Sequence, residues 1–139
     1  IGVKIIVDPK PKNINLFDDV HVISPNVIEA SQITGLNNIV EIGQKLKSII
    51  NSNVIITRGK DGVSLFYKDE KGVEHIEAET KEVFDVSGAG DTFISVLGLA
   101  IASGLALKDS VVLGNKAAGV VVNKRGTSTL NSEELLHMY

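Results

Sequence analysis

The chain has 139 residues, 43% of them hydrophobic, which suits one domain able to bury roughly two-thirds of its unfolded surface. Its 14 Lys and Arg against 17 Asp and Glu offer no field for nucleic acid or anionic lipid, and the absence of cysteine excludes disulfides, thiolate catalysis and cysteine zinc sites. No apolar run approaches the ~20 residues of a membrane span, and Ile1-Gly2-Val3-Lys4 lacks the layout of a secretory signal, so a soluble, cytoplasmic protein is expected.

Ile1 to Val7 is a short apolar run closed by Asp8-Pro9, which predicts a buried parallel strand. Asp8-Pro9-Lys10 then lies at the strand end, the edge where open α/β sheets place their ligands, although a plain turn with proline blocking extension is the slightly better account of Lys10. Pro11 to Asp19 is polar and turn-rich, a surface connection. His21-Val22-Ile23 predicts the next strand, and Ser24-Pro25 a helix start with Ser24 as N-cap and Gly35 as terminator. Within that helix Asn26 and Glu29 share one face of the first turn. Asn38 to Glu41 resembles a capping box, and Ile39, Val40, Ile42, Leu46, Ile49 and Ile50 form a helical stripe with no chemistry assigned.

Val54 to Thr57 is an apolar strand running into Thr57-Arg58-Gly59-Lys60-Asp61-Gly62, and Val63 to Tyr67 is its hairpin partner. Arg58 and Lys60 fit a solvated turn as well as a phosphate contact. Val73 to Ala78 alternates like an edge strand. His21, His75 and His137 are isolated, with no metal-ligand spacing.

Thr80 to Phe84 predicts a strand that leads into Asp85-Val86-Ser87-Gly88-Ala89-Gly90-Asp91. The small residues Gly88, Ala89 and Gly90 permit a tight turn at a helix start, where backbone N–H groups lack partners and the dipole favours an anion. A carboxylate beside an anion hole is wasteful unless it handles a proton, which casts Asp91 as a general base. An ordinary strand-to-helix turn with an acidic first turn would use the same four residues. The helix that follows, Phe93 to Ile101, is apolar almost all round and is expected to be buried, with Gly104 closing it. Leu107 to Val122 predicts another helix, one side of which is made small by Gly114, Ala117, Ala118 and Gly119 for close approach by a helix or a flat ring. A polar loop, Lys124 to Thr129, precedes a short helix capped at Asn131 to Glu134.

Three of these segments, N-x-x-E at Asn26, T-x-G-x-x-G at Thr57 and D-V-S-G-A-G-D-T-F at Asp85, resemble in order and spacing the ribokinase-like (PfkB) carbohydrate kinases. A dinucleotide fingerprint fits poorly, because Phe93 stands where glycine or alanine is required, and neither a G-K-[ST] phosphate loop nor a G-x-S-x-G elbow occurs. The resemblance implies an α/β, ribokinase-like fold, an open, mostly parallel sheet with helices on both faces. It covers only the C-terminal, nucleotide-binding portion of that family, so the chain is expected to be a fragment that lacks the sugar-binding part and the lid, through which a homodimer could form.

By the same resemblance the chain serves ATP-dependent phosphorylation of a sugar or sugar-phosphate hydroxyl, with Gly88, Ala89 and Gly90 holding the transferring phosphoryl group and Asp91 deprotonating the hydroxyl. Thr57, Gly59 and Gly62 fall on the nucleotide side, and Asn115, Ala118 and Val122 become candidates to wall the adenine, with helix packing the competing role for each. Asn26 and Glu29 would order Mg²⁺ through water, Asp8 would lie near the phosphates, and Asp85 with the carbonyls of the Lys124–Thr129 loop would hold a K⁺-like ion. Together with D-P-K and A-A-G-V-V-V-N-K-R-G-T-S-T, the motifs look most like the bacterial heptose-phosphate kinases of this family. That implies D-glycero-D-manno-heptose 7-phosphate as substrate, phosphorylated at O1 for lipopolysaccharide assembly. The alternatives are another PfkB sugar kinase or a nucleotide-binding fragment without turnover of its own.

Overall fold

Among the described residues five short strands form one sheet in the order of the sequence: β1 (Ile6–Val7), β2 (Val22–Ile23), β3 (Asn53–Thr57), β4 (Val63–Phe66) and β5 (Glu74–Ile76). The first three run parallel, and β4 and β5 then return antiparallel as a meander. The structure is a computed structural model that describes residues 2–79, 85–124, 126 and 128–138; the strand expected at Thr80 to Phe84 lies outside the described residues, as do Arg125 and Thr127. The chain forms two compact units, one of Ile1–Arg58 and Val63–Ile76, the other of Gly59–Gly62 and Glu77–Tyr139.

The first unit is built on the sheet. Val22, Ile23, Val54, Ile55, Ile56, Leu65 and Phe66 are fully buried, which explains why β2 and the centre of β3 read as continuous apolar runs and not as alternating ones. Helices α1 (Val27–Thr34) and α2 (Ile39–Ile50) belong to this unit. Asn38 caps α2, its Oδ1 accepting from the amides of Val40 and Glu41 at 3.0 and 3.2 Å. Ile42, Leu46 and Ile50 turn inward, whereas Val40 and Ile49 are exposed, so the buried stripe is narrower than the sequence suggests. Gly43 completes that inward face because the Phe66 ring is seated against it.

Two boundaries differ from expectation. Only Ile6 and Val7 of the opening run pair in register with β2, the Ile5 carbonyl accepts the His21 and Val22 amides at 3.0 and 3.2 Å, and Val3 is 84% exposed. Ser24 does not cap α1. Ser24 donates its amide to the Val7 carbonyl at 2.8 Å and Pro25 accepts from Thr57 N–H at 3.2 Å, so both residues are held extended by the neighbouring strands and the helix begins after Asn26. Gly35 does end α1, in the left-handed region at φ +70°. His75 is exposed on β5 and shares a 2.9 Å hydrogen bond with the buried hydroxyl of Ser64, its cross-strand partner.

The second unit is helical, comprising α3 (Ala89–Ala102), α4 (Leu107–Val122) and α5 (Ser132–Leu136). Helices α3 and α4 pack closely at Gly114, where a Cβ would come within 3.1 Å of the Phe93 carbonyl and 3.2 Å of its ring. Phe93, Val96, Leu97, Ala100 and Ile101 are buried, but Leu99 is 56% exposed. The expectation of an all-round buried α3 is therefore corrected: α4 covers one face, and Ser95 and Leu99 stand on another. Among the described residues no helix is long and apolar enough to cross a membrane.

Candidate active site

The glycine turn of the second unit is the first turn of α3 itself. Gly88 is the N-cap at φ +81°, a left-handed conformation that L side chains adopt at a cost, and it brings no side-chain cap. The Thr92 amide makes the first helical bond, to the Gly88 carbonyl at 2.9 Å. The Ala89 amide is already used, donating to the Val86 carbonyl at 3.2 Å. This corrects the expectation that all three turn amides converge on an anion, because a tight turn closes by spending one of them internally. The amides of Gly90 and Asp91 make no hydrogen bond among the described residues. Gly90 is exposed with open space where a Cβ would stand, and the Asp91 side chain is exposed beside it, not turned into the packing.

Asp85 fixes the approach to this turn. Its Oδ1 accepts the Ser87 amide at 2.8 Å, and its own amide donates to the Val122 carbonyl at the end of α4 at 3.3 Å. The Ser87 amide, and then the Ser87 hydroxyl, hold the Asp85 carboxyl below the usual aspartate range. The Ser128 carbonyl lies near the turn, 3.9 Å from where a Cβ at Gly88 would stand.

Of the three α4 candidates, Asn115 is 8% exposed and donates its side-chain amide to the Glu77 carbonyl at 2.8 Å. Val122 is 9% exposed and Ala118 half-buried. A depression of about 390 Å³ opens beside the same helix, but Lys116, Gly119, Val120 and Asn123 line it and the three candidates do not. In the Thr57–Gly62 turn, Gly59 and Gly62 sit at φ +59° and +81°, and the Gly62 amide closes on the Gly59 carbonyl at 3.0 Å. At Gly59 the left-handed backbone is what demands glycine, for no protein atom lies within 4 Å of a Cβ there.

In the first unit Asn26 and Glu29 form a reciprocal capping box: Asn26 Oδ1 accepts the Glu29 amide at 2.9 Å, and Glu29 Oε2 accepts the Asn26 amide at 3.1 Å. Asn26 is also bridged in parallel register to Thr57, so these two predicted residues are neighbours at the C-terminal edge of β3. Lys10 donates to Glu29 Oε1 at 2.7 Å and lies 3.6 Å from Asp8 Oδ2. The Glu29 hydrogen bond, and after it the Asp8 charge, raise the Lys10 ammonium above its ordinary value. Nineteen residues separate Lys10 from Glu29, and no local pattern announces such a pair. Among the described residues no group of three or more His, Cys, Asp or Glu could cage a metal ion. One carboxylate and one amide oxygen, both already bonded to the protein, fit a magnesium ion that keeps its water shell and do not fit direct multidentate ligation.

The fold is ribokinase-like. The chain superposes over 99% of its length on ribokinase from Thermotoga maritima, with a TM-score of 0.86 at 25% identity, and covers 49% of that chain. It matches an Arabidopsis thaliana ribokinase complexed with ribose and ATP at a TM-score of 0.82 and 25% identity, covering 99% of this chain and 47% of that one. Residues 2–134 match the pfkB family carbohydrate kinases, and the chain belongs to that family. Curated relatives include "Bifunctional protein HldE" of Desulfatibacillum aliphaticivorans, 42% identical over 96% of this chain, and of Nitrosococcus oceani, 39% identical over 97%. The chain spans 28% and 29% of the length of these two relatives.

Proposed function

We propose that the full-length protein transfers the γ-phosphoryl group of ATP to a sugar-phosphate hydroxyl, with D-glycero-D-manno-heptose 7-phosphate, phosphorylated at O1, as substrate. The observation that carries the phosphotransfer reading is the start of α3, where an exposed carboxylate stands beside amides that the described residues leave without acceptors. Asp91 takes the proton of the attacking hydroxyl as the new P–O bond forms. The Gly90 and Asp91 amides stabilise charge on the equatorial phosphoryl oxygens. Thr57, Gly59 and Gly62 serve the nucleotide, as do Asn115, Ala118 and Val122 on α4. Asn26 and Glu29 hold the water shell of Mg²⁺, which when bound offsets the phosphate charge. Asp85 and the carbonyls of the loop after α4 are the place for K⁺.

Asp91→Asn in the full-length protein is expected to lower kcat by roughly 10²–10⁴-fold with little change in ATP affinity. Wild-type turnover in that variant would refute the general-base role. The heptose assignment rests on the D-P-K and A-A-G-V-V-V-N-K-R-G segments and on the relatives named HldE. Measuring ADP formation with heptose 7-phosphate, ribose and fructose tests it separately: turnover on ribose or fructose with none on the heptose moves the substrate and leaves the phosphotransfer in place.

A further inference from the structure

Three charged groups meet where β1 ends and α1 begins: the Lys10 ammonium, with Glu29 at 2.7 Å and Asp8 at 3.6 Å. Both oxygens of Glu29 are engaged, Oε2 with the Asn26 amide and Oε1 with Lys10. The two partners differ in how firmly they are held. The Glu29 side chain is 14% exposed and tied into the first turn of α1 by the capping box, whereas the Lys10 side chain is 54% exposed on a flexible four-carbon stem. A divalent cation approaching Glu29 therefore meets a carboxylate already paired with an ammonium. The two cations repel, and the ammonium is the one able to leave.

We propose that Lys10 is a positioning residue that competes with the metal for Glu29: it occupies the carboxylate in the metal-free protein and keeps affinity for free divalent cation low, so that metal is accepted together with the nucleotide. This rests on the reading of Glu29 as the metal-ordering residue. Removing the ammonium takes a positive charge from beside both Glu29 and Asp8, which leaves a more attractive site for a dication.

The test is Mn²⁺ binding to the nucleotide-free, full-length protein, read from the electron paramagnetic resonance of free Mn²⁺, which needs no turnover. Lys10→Met is expected to bind Mn²⁺ about fivefold more tightly than the wild type, the scale of a partly exposed ion pair, while Lys10→Arg stays near the wild type. Glu29→Gln, which retains the capping box, should lose the binding in either background. Equal affinity in the wild type and Lys10→Met, with loss in Glu29→Gln, overturns the competition and leaves the metal role of Glu29 standing. Unchanged binding in Glu29→Gln overturns both. No measurable binding even in Lys10→Met also overturns the competition.

Discussion

Gly43 offers the sharpest test of how the sheet unit is packed. A Cβ added there would lie 2.1 Å from Cζ of Phe66 and 2.3 Å from each Cε. Carbon atoms in contact stand about 3.5–4 Å apart, so the ring would have to withdraw by more than about 1 Å. It has nowhere to go: Phe66 is fully buried among Ile23, Ala30, Ile42, Leu46, Val54 and Ile56. Overpacking costs about 1–3 kcal/mol in protein cores, and displacing a whole ring belongs at the upper end of that range. Against it stands the helix propensity of alanine over glycine, about 1 kcal/mol. Gly43→Ala should therefore lose about 2 kcal/mol, a shift of about 30-fold in the folding equilibrium. Urea unfolding would read this as a lower midpoint with an unchanged slope. Phe66→Leu removes the atoms that collide, so in that background the same substitution should cost nothing or stabilise, giving a coupling of about 2 kcal/mol in the double-mutant cycle. A neutral Gly43→Ala, or additive losses in the double variant, would refute the ring-on-glycine contact.

Gly88→Ala places a Cβ at φ +81°. It should destabilise by about 1–2 kcal/mol through backbone strain alone, because the nearest described atom, the Ser128 carbonyl oxygen at 3.9 Å, leaves room; an unfolding titration that finds no loss would show that this turn is not left-handed. Glu134 is held below the ordinary glutamate range by Lys124 first and then by the Asn131 amide. A depressed carboxyl contributes stability above its unfolded pKa and loses it as pH falls through the folded value. Lys124→Met should therefore speed amide exchange in α5 near neutral pH and have no effect once Glu134 is protonated in both proteins. A penalty that persists in acid would rule out the ion pair as its source.

Local chemistry was legible where local chemistry decides. The bounds of α4, Leu107–Val122, follow from its sequence, and the left-handed Gly35 and Gly104 sit where helix ends require them. Long-range pairing hid the rest. Ser24-Pro25 satisfies every preference for a helix start, yet its backbone is taken by β1 and β3, so the cap moves on to Asn26. The apolar letters of the opening run and of α3 cannot say which faces find a partner, and Val3, Ile5 and Leu99 do not. The motifs named Asp91, Glu29 and Thr57 as candidates. They could not show that Ala89 closes its own turn, that Asn115 is bonded to Glu77, or that Lys10 sits on Glu29.

An acidic residue at the third helical position carries no functional weight by itself in this protein, because each α-helix among the described residues has one: Glu29, Glu41, Asp91, Asp109 and Glu134. The helix dipole favours a negative charge at each. What separates α3 is the residue before it. Asn26, Asn38 and Asn131 each turn a side-chain oxygen onto the amides of the first turn, and Glu29 and Glu134 fold back to complete the box. Helix α3 has glycine in that place, and α4, which also lacks a side-chain cap, starts on Ala106-Leu107 with no glycine pair to clear space. Glycine in place of a capping side chain costs a helix only a few tenths of a kcal/mol, a small loss that an external anion on the Gly90 and Asp91 amides would offset. The case for Asp91 thus lies less in its own charge than in the missing cap beside it.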